Sequence, residues 1–322
     1  MQNTIGIDVS KATLDVACFL DGSWRDHRFS NDLKGFKALI KLAGKDSLFV
    51  MEASGPYYLQ LALFLSAQGA EVSVVNPLVV KRFSQMRLIR AKTDRKDAQT
   101  IAQYARAENP KRWHVPEATI LKMQQLITAQ QTLGKQMTMI KNQLLAFTDS
   151  GIVDKQVSRS LSSTLAHLRK QEEKLQQALQ QYATDRYASS MKLLTSIPGI
   201  GPKTAALLIV LSDNFQKFAH HKQLIAYVGF SPRVYQSGTS VRGKGHICKI
   251  GNALIRKLLY LCTWSAKKVN QACALMYERL KQKGKPERVI KVALANKLLK
   301  QAFAIVTSAT PYKENYANNP CF

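Results

Sequence analysis

Carboxylates are scarce in this chain. Its 322 residues hold 21 Asp plus Glu against 47 Lys plus Arg, a formal net charge of +26. Such an excess implies a polyanionic partner, either nucleic acid or an anionic membrane surface. The membrane reading is weak, because no apolar run approaches the roughly 20 residues a spanning helix needs. Paired cysteines are lacking too. Cys18, Cys248, Cys262, Cys273 and Cys321 are scattered without a C-x-x-C pair, and the six histidines have no ligand spacing. Reduced thiols in a cytoplasmic protein are expected, with no zinc site. The first residues run straight into a strand pattern, so no secretory leader is expected.

The few acids that are present fall in a telling order. Asp8 closes the apolar run Thr4–Val9, and Glu52 closes another at Ser47–Met51. Asp94 and Asp97 follow in Lys92-Thr93-Asp94-Arg95-Lys96-Asp97-Ala98, three residues apart and hence on one face of a helix. Adjacent strands of one sheet would bring Asp8 and Glu52 together. Four converging carboxylates repel one another unless cations neutralise them. Mg²⁺, hard and oxygen-loving, is the natural ion, with Mn²⁺ as its substitute. Two such ions about 4 Å apart would stabilise the attacking and leaving oxygens of a phosphoryl transfer. Any one of these acids alone reads more simply as a turn cap or a solvated helix charge; the order, the strand-end placement and the basic context favour a site.

Three regions are expected. Residues 1–109 alternate strand and helix: strands at Thr4–Val9, Thr13–Leu20 and Trp24–Phe29, a helix capped by Asn31 or Asp32, a strand ending at Glu52, a helix over Tyr57–Ala67, a strand over Glu71–Asn76, and a helix or helices from Pro77 to Ala105. That order fits a ribonuclease-H-like mixed sheet, and also other α/β folds. Residues 110–189 carry heptads. Met123, Gln130, Met137 and Leu144 share one seam position, and Leu126, Leu133, Ile140 and Phe147 the other. After Ser150-Gly151 come Leu161, Leu168, Leu175 and Tyr182, flanked by Leu165 and Leu179. This reads as a helical hairpin or coiled coil, with a plain helical bundle as the alternative. Residues 190–322 read as basic and mostly helical, with two helical patterns after a Gly/Ser-rich stretch.

Two further motifs lie in that last region. Ile197-Pro198-Gly199-Ile200-Gly201-Pro202-Lys203-Thr204 has the form of a helix-hairpin-helix, in which Gly199 and Gly201 would let the backbone approach a phosphate and Lys203 would add charge. A simple corner between helices is the alternative. Tyr235-Gln236-Ser237-Gly238-Thr239-Ser240-Val241-Arg242-Gly243-Lys244-Gly245 is a small, basic loop. A serine hydroxyl can attack a phosphodiester when a metal or base activates it. Spacing alone does not single out such a serine. Lys92, Arg242 and Lys244 are candidate nucleic-acid contacts, with Tyr57 and Tyr58 beside them.

Together these motifs identify a resemblance covering essentially the whole chain. Gly6-Ile7-Asp8-Val9-Ser10-Lys11, Met51-Glu52-Ala53-Ser54-Gly55-Pro56-Tyr57, Lys92 to Ala98, Ser196 to Gly201 and Ser237 to Gly243 resemble the DEDD transposases of bacterial insertion sequences, the "one-ten" family that includes Piv-type DNA invertases. The resemblance implies an N-terminal RuvC-like domain, a coiled-coil linker and a C-terminal transposase domain. It implies that Asp8, Glu52, Asp94 and Asp97 are metal ligands, and that Ser237, rather than its neighbour Ser240, is the nucleophile. It further implies an element-encoded noncoding bridge RNA that pairs with donor and target DNA, so that base pairing selects sequence while the protein reads shape and backbone. The expected activity is site-specific recombination through a covalent phosphoserine–DNA link. Acids on one domain and a serine on another suggest a composite site shared between protomers, in a homodimer that pairs into a dimer of dimers on two DNA sites. The alternatives are a hydrolytic junction nuclease using water as nucleophile, and a non-catalytic nucleic-acid-binding protein.

Overall fold

The computed structural model describes residues 3–20, 22–89, 93–233 and 245–314, together with the backbone of 236–237 and 241–242. Lys92, Ser240 and Lys244 lie outside the described residues. The chain divides into two compact units, Met1–Val115 and Pro116–Phe322. Among the described residues no helix is long and apolar enough to cross a membrane.

The first unit is a mixed five-stranded sheet. Its elements are β1 (Thr4–Val9), β2 (Thr13–Leu20), β3 (Ser23–Ser30), α1 (Leu33–Ala43), β4 (Leu48–Glu52), α2 (Tyr58–Ala67), β5 (Glu71–Val75), α3 (Pro77–Met86) and α4 (Asp94–Glu108). The strand order is β3-β2-β1-β4-β5. β1, β2 and β3 form an antiparallel meander, while β4 and β5 run parallel to β1. Asp32, not Asn31, caps α1, accepting from the Gly35 amide at 2.8 Å. Of the helix or helices expected from Pro77, the structure shows two, α3 and α4.

Strand alternation sorts the side chains onto two faces. Ile5, Ile7, Val9, Leu14, Val16, Phe49 and Met51 pack on one face against Phe36 and Leu39 of α1 and Leu61 and Leu65 of α2. On the other face, Leu48, Val50 and Val75 meet Val80 of α3 and Ile101 and Ala105 of α4. After α4 the chain returns along β5, with the Trp113 amide on the Val72 carbonyl at 2.7 Å and Ser73 Oγ on the Lys111 carbonyl at 2.9 Å. These bonds cover the β5 edge and draw residues up to Val115 into the first unit.

The second unit is mostly helical. Two long helices, α5 (Ala118–Asp149) and α6 (Lys155–Thr195), pack on each other. Far from the core, Met137, Ile140 and Leu165 form a small cluster with Leu144, Leu161 and Leu168 around it. Nearer the core, Ile120, Met123, Ile127, Leu179 and Ala183 join the main apolar cluster. Gln130 meets Gln176 on the other helix, Nε2 to Oε1 at 3.4 Å. Tyr182, expected in the seam, is 39% exposed, and Leu179 and Ala183 take the buried face instead. The physical reason is period: a straight helix drifts about 20° per heptad, so a strict sevenfold reading slides off the true stripe. α6 also leaves helical geometry at Tyr187, whose hydroxyl donates to Glu117 beside the start of α5.

The main core continues through α7 (Pro202–Ser212) and α8 (His221–Val228). Short strands β6 (Pro232–Arg233), β7 (Gln236–Ser237), β8 (Val241–Arg242) and β9 (His246–Ile247) follow. The chain closes with α9 (Ala253–Val269), α10 (Gln271–Gln282) and α11 (Glu287–Ser308). Among the described residues there are three closing helices, not the expected two. Asn270 ends α9 and, as N-cap, accepts from the Cys273 amide to start α10 at once, leaving no linker to read in the sequence.

Candidate active site

The site is built on one sheet row. Asp8 of β1 lies opposite Asp15 of β2, and Asp15 lies opposite Arg28 of β3. Glu52 of β4 comes one step past the paired residues Ile7 and Met51, which puts it beside Asp8. Arg28, Asp15, Asp8 and Glu52 therefore cross four adjacent strands on one face. The next row holds Asp26, Ala17 and Gly6, the last opposite Val50.

Helix α4 lies over that second row, and small residues let it. A Cβ on Gly6 would sit 2.3 Å from the Ala98 carbonyl oxygen and 2.4 Å from the Ala102 nitrogen. Only glycine permits this approach. Ala98, Ala102 and Ala105 supply the facing side of the helix, all buried. Thr93 caps α4 by accepting from the Lys96 amide, so the helix begins at Asp94. Asp94 and Asp97 both fall in its first turn, where the helix dipole favours negative charge.

The neighbouring carboxylates bear on Asp8. The Asp8 carboxyl is pushed up to about 6 from an ordinary 3.8, first by burial and then by the carboxylates of Asp97, Asp94, Glu52 and Asp15 in that order. Asp97, Asp94 and Glu52 are thus near enough to Asp8 for their charges to raise its pKa. Among the described residues, no three acidic, His or Cys side chains are close enough as they stand to grip an ion. The donor set is nonetheless right in kind for a hard dication: oxygen-only and mutually repelling, with Asp8 partly desolvated.

Sequence reasoning missed Asp15, Asp26 and Arg28. Asp15 is 7% exposed, and Arg28 holds it with Nε at 2.9 Å and Nη2 at 2.7 Å from Oδ1. The same Nη2 stands 3.8 Å from Asp94 Oδ2. The usable signal was a lone charge inside the apolar strand Thr13–Leu20.

In the second unit, Ser237 lies in β7, opposite Val241 of β8, with Arg242 opposite Gln236. This hairpin rises from a pinned stem. Pro232 and Arg233 pair with Ile247 and His246. The Cys248 amide bonds the Ser231 carbonyl, Lys249 bonds Gly229, and Arg256 Nη1 bonds the Val228 carbonyl at 2.7 Å. A Cβ on Gly251 would lie 2.2 Å from the Tyr227 carbonyl oxygen. The Pro-Gly motif forms the turn from α6 to α7, with Gly201 as N-cap and Pro202 as first residue. Gly199 has φ +103° and faces Ala266 of α9, 2.7 Å from where its Cβ would be, so α9 occupies the space above it. Space above Gly201 is open. Lys203 stands 3.8 Å from Glu172.

Residues 5–151 match the DEDD transposase model of the IS110 group, and residues 191–278 match the model described as "Transposase IS116/IS110/IS902 family". The chain belongs to the IS110 family of DEDD transposases. It is a DNA transposase or recombinase by that membership. Among curated relatives of this IS110-family enzyme are the "Pilin gene-inverting protein" of Moraxella lacunata and that of Moraxella bovis. Each is 29% identical over 96% of this chain and 97% of the relative. A solved structure, "T. thermophilus RuvC in complex with Holliday junction substrate", matches 35% of this chain and all of that one at 14% identity, with a TM-score of 0.26. That score is too low to carry weight.

Proposed function

We propose that this IS110-family enzyme is a site-specific DNA recombinase that cuts and rejoins strands through a phosphoserine link, in a metal-assisted reaction. The observation that carries the proposal is the crowding of Asp97, Asp94 and Glu52 around Asp8, a cluster whose charge asks for a cation. Asp8, Glu52, Asp94 and Asp97 would hold one or two Mg²⁺ ions, or Mn²⁺ in their place. When bound, such an ion would polarise the scissile phosphate and stabilise the oxygen that leaves it.

The chain's own residues supply the rest. Ser237 Oγ attacks phosphorus and gives up its proton to solvent. The P–O3′ bond breaks, the departing 3′ oxygen takes a proton, and the 5′-phosphate stays on the serine. The 3′-hydroxyl of the partner strand then attacks the phosphoserine, releasing Ser237 and restoring a phosphodiester. One P–O bond is exchanged for another at each step, so no nucleotide hydrolysis is needed. Arg242 sits opposite the residue before Ser237 and would meet the same backbone.

The mixed sheet with the order β3-β2-β1-β4-β5 supports reading the first unit as RuvC-like. The α5–α6 hairpin supports reading residues 110–189 as a coiled-coil linker between it and a transposase domain at 190–322. The net charge of +26 suits a protein that holds both DNA and an element-encoded bridge RNA at the nucleoid. A dimer of dimers is the simplest assembly that joins two DNA sites.

The test is recombination of two DNA sites bearing the element's ends, with RNA transcribed from the element's flanking noncoding region, with and without Mg²⁺. The reading expects recombinants only with the ion, and none with Asp8→Asn or Asp94→Asn. Recombination by either variant at the wild-type rate would overturn it.

A further inference from the structure

Two arginines beside the acids are held in an unusual way. Surface ion pairs commonly expose both partners. Here Asp15 is buried and Asp26 largely covered, while the guanidiniums face out. Asp15 has a side chain 10% exposed and holds Arg28, whose side chain is 61% exposed. Asp26 has a side chain 14% exposed and holds Arg95, which is 68% exposed. Arg95 binds Asp26 Oδ2 through Nε and Nη2, each at 2.6 Å. Gln99, itself buried, donates Nε2 to both Asp26 oxygens at 2.9 and 3.0 Å, so that carboxylate cannot turn away.

The geometry of each pair is the same. One edge of the guanidinium, Nε with Nη2, is spent on the carboxylate behind it. Among the described residues Nη1 of neither arginine has a hydrogen-bond partner. Arg28 and Arg95 line one concavity of about 330 Å³ together with Asp15, Val16, Asp26 and His27. The concavity opens beside the acid cluster, since Arg28 Nη2 reaches to 3.8 Å from Asp94 Oδ2 and Arg95 follows Asp94 in α4. A planar fork pre-set by a buried acid loses little freedom on binding an oxyanion.

We propose that Arg28 and Arg95 form a phosphate clamp, which grips a backbone phosphate of the nucleic-acid strand next to the one that is cut. The clamp rests on the recombinase reading above and deepens it. It sets the strand's register over Asp8 and Asp94, while Asp15 and Asp26 are positioning residues that aim the two forks. The competing account is that the arginines only neutralise two buried carboxylates.

The experiment uses the full chain carrying Ser237→Ala, so that binding is read apart from strand cutting. The probe is a DNA duplex of the element end in which single phosphates of the cleaved strand are replaced by neutral methylphosphonates. Binding should fall roughly tenfold at one phosphate, the loss of one charge-assisted contact. Arg28→Gln and Arg95→Gln should each bind unmodified DNA more weakly by a similar factor and lose their sensitivity at that same phosphate. The paired variants Arg28→Gln/Asp15→Asn and Arg95→Gln/Asp26→Asn remove the stranded carboxylate as well. They should recover thermal stability but not the binding. If they recover both, or if no methylphosphonate position distinguishes the Gln variants from their parent, the clamp is wrong. Failure of recombination with a working clamp would instead count against the phosphoserine reading alone.

Discussion

A methyl group on Gly6 would lie 2.3 Å from the carbonyl oxygen of Ala98. That close approach sets helix α4 directly on β1, and it is why Asp94 and Asp97 act on Asp8 two residues along the same strand. The placing of Asp94 and Asp97 near Asp8 therefore depends on a residue with no side chain.

Gly6→Ala should push α4 away from the sheet. Overpacking of this kind costs about 1–3 kcal/mol. The expected result is a lower melting temperature together with a larger loss of strand cleavage than the stability change explains. An unchanged melting temperature with full activity would show that α4 does not depend on this contact.

Asp8 gives the metal-free protein a pH signature. Its folded pKa, about 6, lies above the ordinary 3.8, so the fold holds the proton more tightly than the unfolded chain does. Its contribution is favourable in acid and is lost as pH rises through about 6. Asp8→Asn should match wild type below pH 4 and exceed it at pH 7 by roughly 1–2 kcal/mol, a shift discounted for partial exposure. Urea unfolding in EDTA at both pH values checks this. A variant less stable than wild type at pH 7 would contradict it.

The same repulsion predicts a response to divalent cations. Mg²⁺ that binds only the folded acid cluster should stabilise the protein by about 2.7 kcal/mol at a hundredfold excess over Kd. Differential scanning fluorimetry should show a rise in melting temperature for wild type and little or none for Asp94→Ala. Equal rises in both would place the ion elsewhere.

In the α5–α6 hairpin, Gln130 donates to Gln176, whose own Nε2 is buried without a partner. An unsatisfied buried donor costs more than a matched apolar pair. Gln130→Leu/Gln176→Leu should raise stability by about 1 kcal/mol, while Gln176→Leu alone gains less because it strands the Gln130 amide. Thermal melts of both variants decide the point.

What the sequence revealed depended on how local each signal was. Asp8 and Glu52 were legible because each ends an apolar strand, and Asp94 and Asp97 because three residues set a shared helix face. The row Arg28, Asp15, Asp8, Glu52 was not, since it exists only once three strand registers are fixed. The role of Gly6 was hidden for a related reason: its neighbours Ala98 and Ala102 lie far along the chain. Along α6, a sevenfold count led to Tyr182, whereas Leu179 and Ala183 are the buried residues there. A straight helix drifts about 20° per heptad, which carries a sevenfold count off the packed face. Ser237 came from family resemblance, not from spacing.

The most direct test of the account is a search for the covalent intermediate. The full chain would be incubated with Mg²⁺, element-end DNA and the element's flanking noncoding RNA, then run on a denaturing gel and the adduct mapped by peptide mass spectrometry. The account predicts a protein–DNA species linked at Ser237, absent in Ser237→Ala and in Asp94→Ala. Cleavage without any adduct, undiminished by Ser237→Ala, would contradict it and make water the nucleophile.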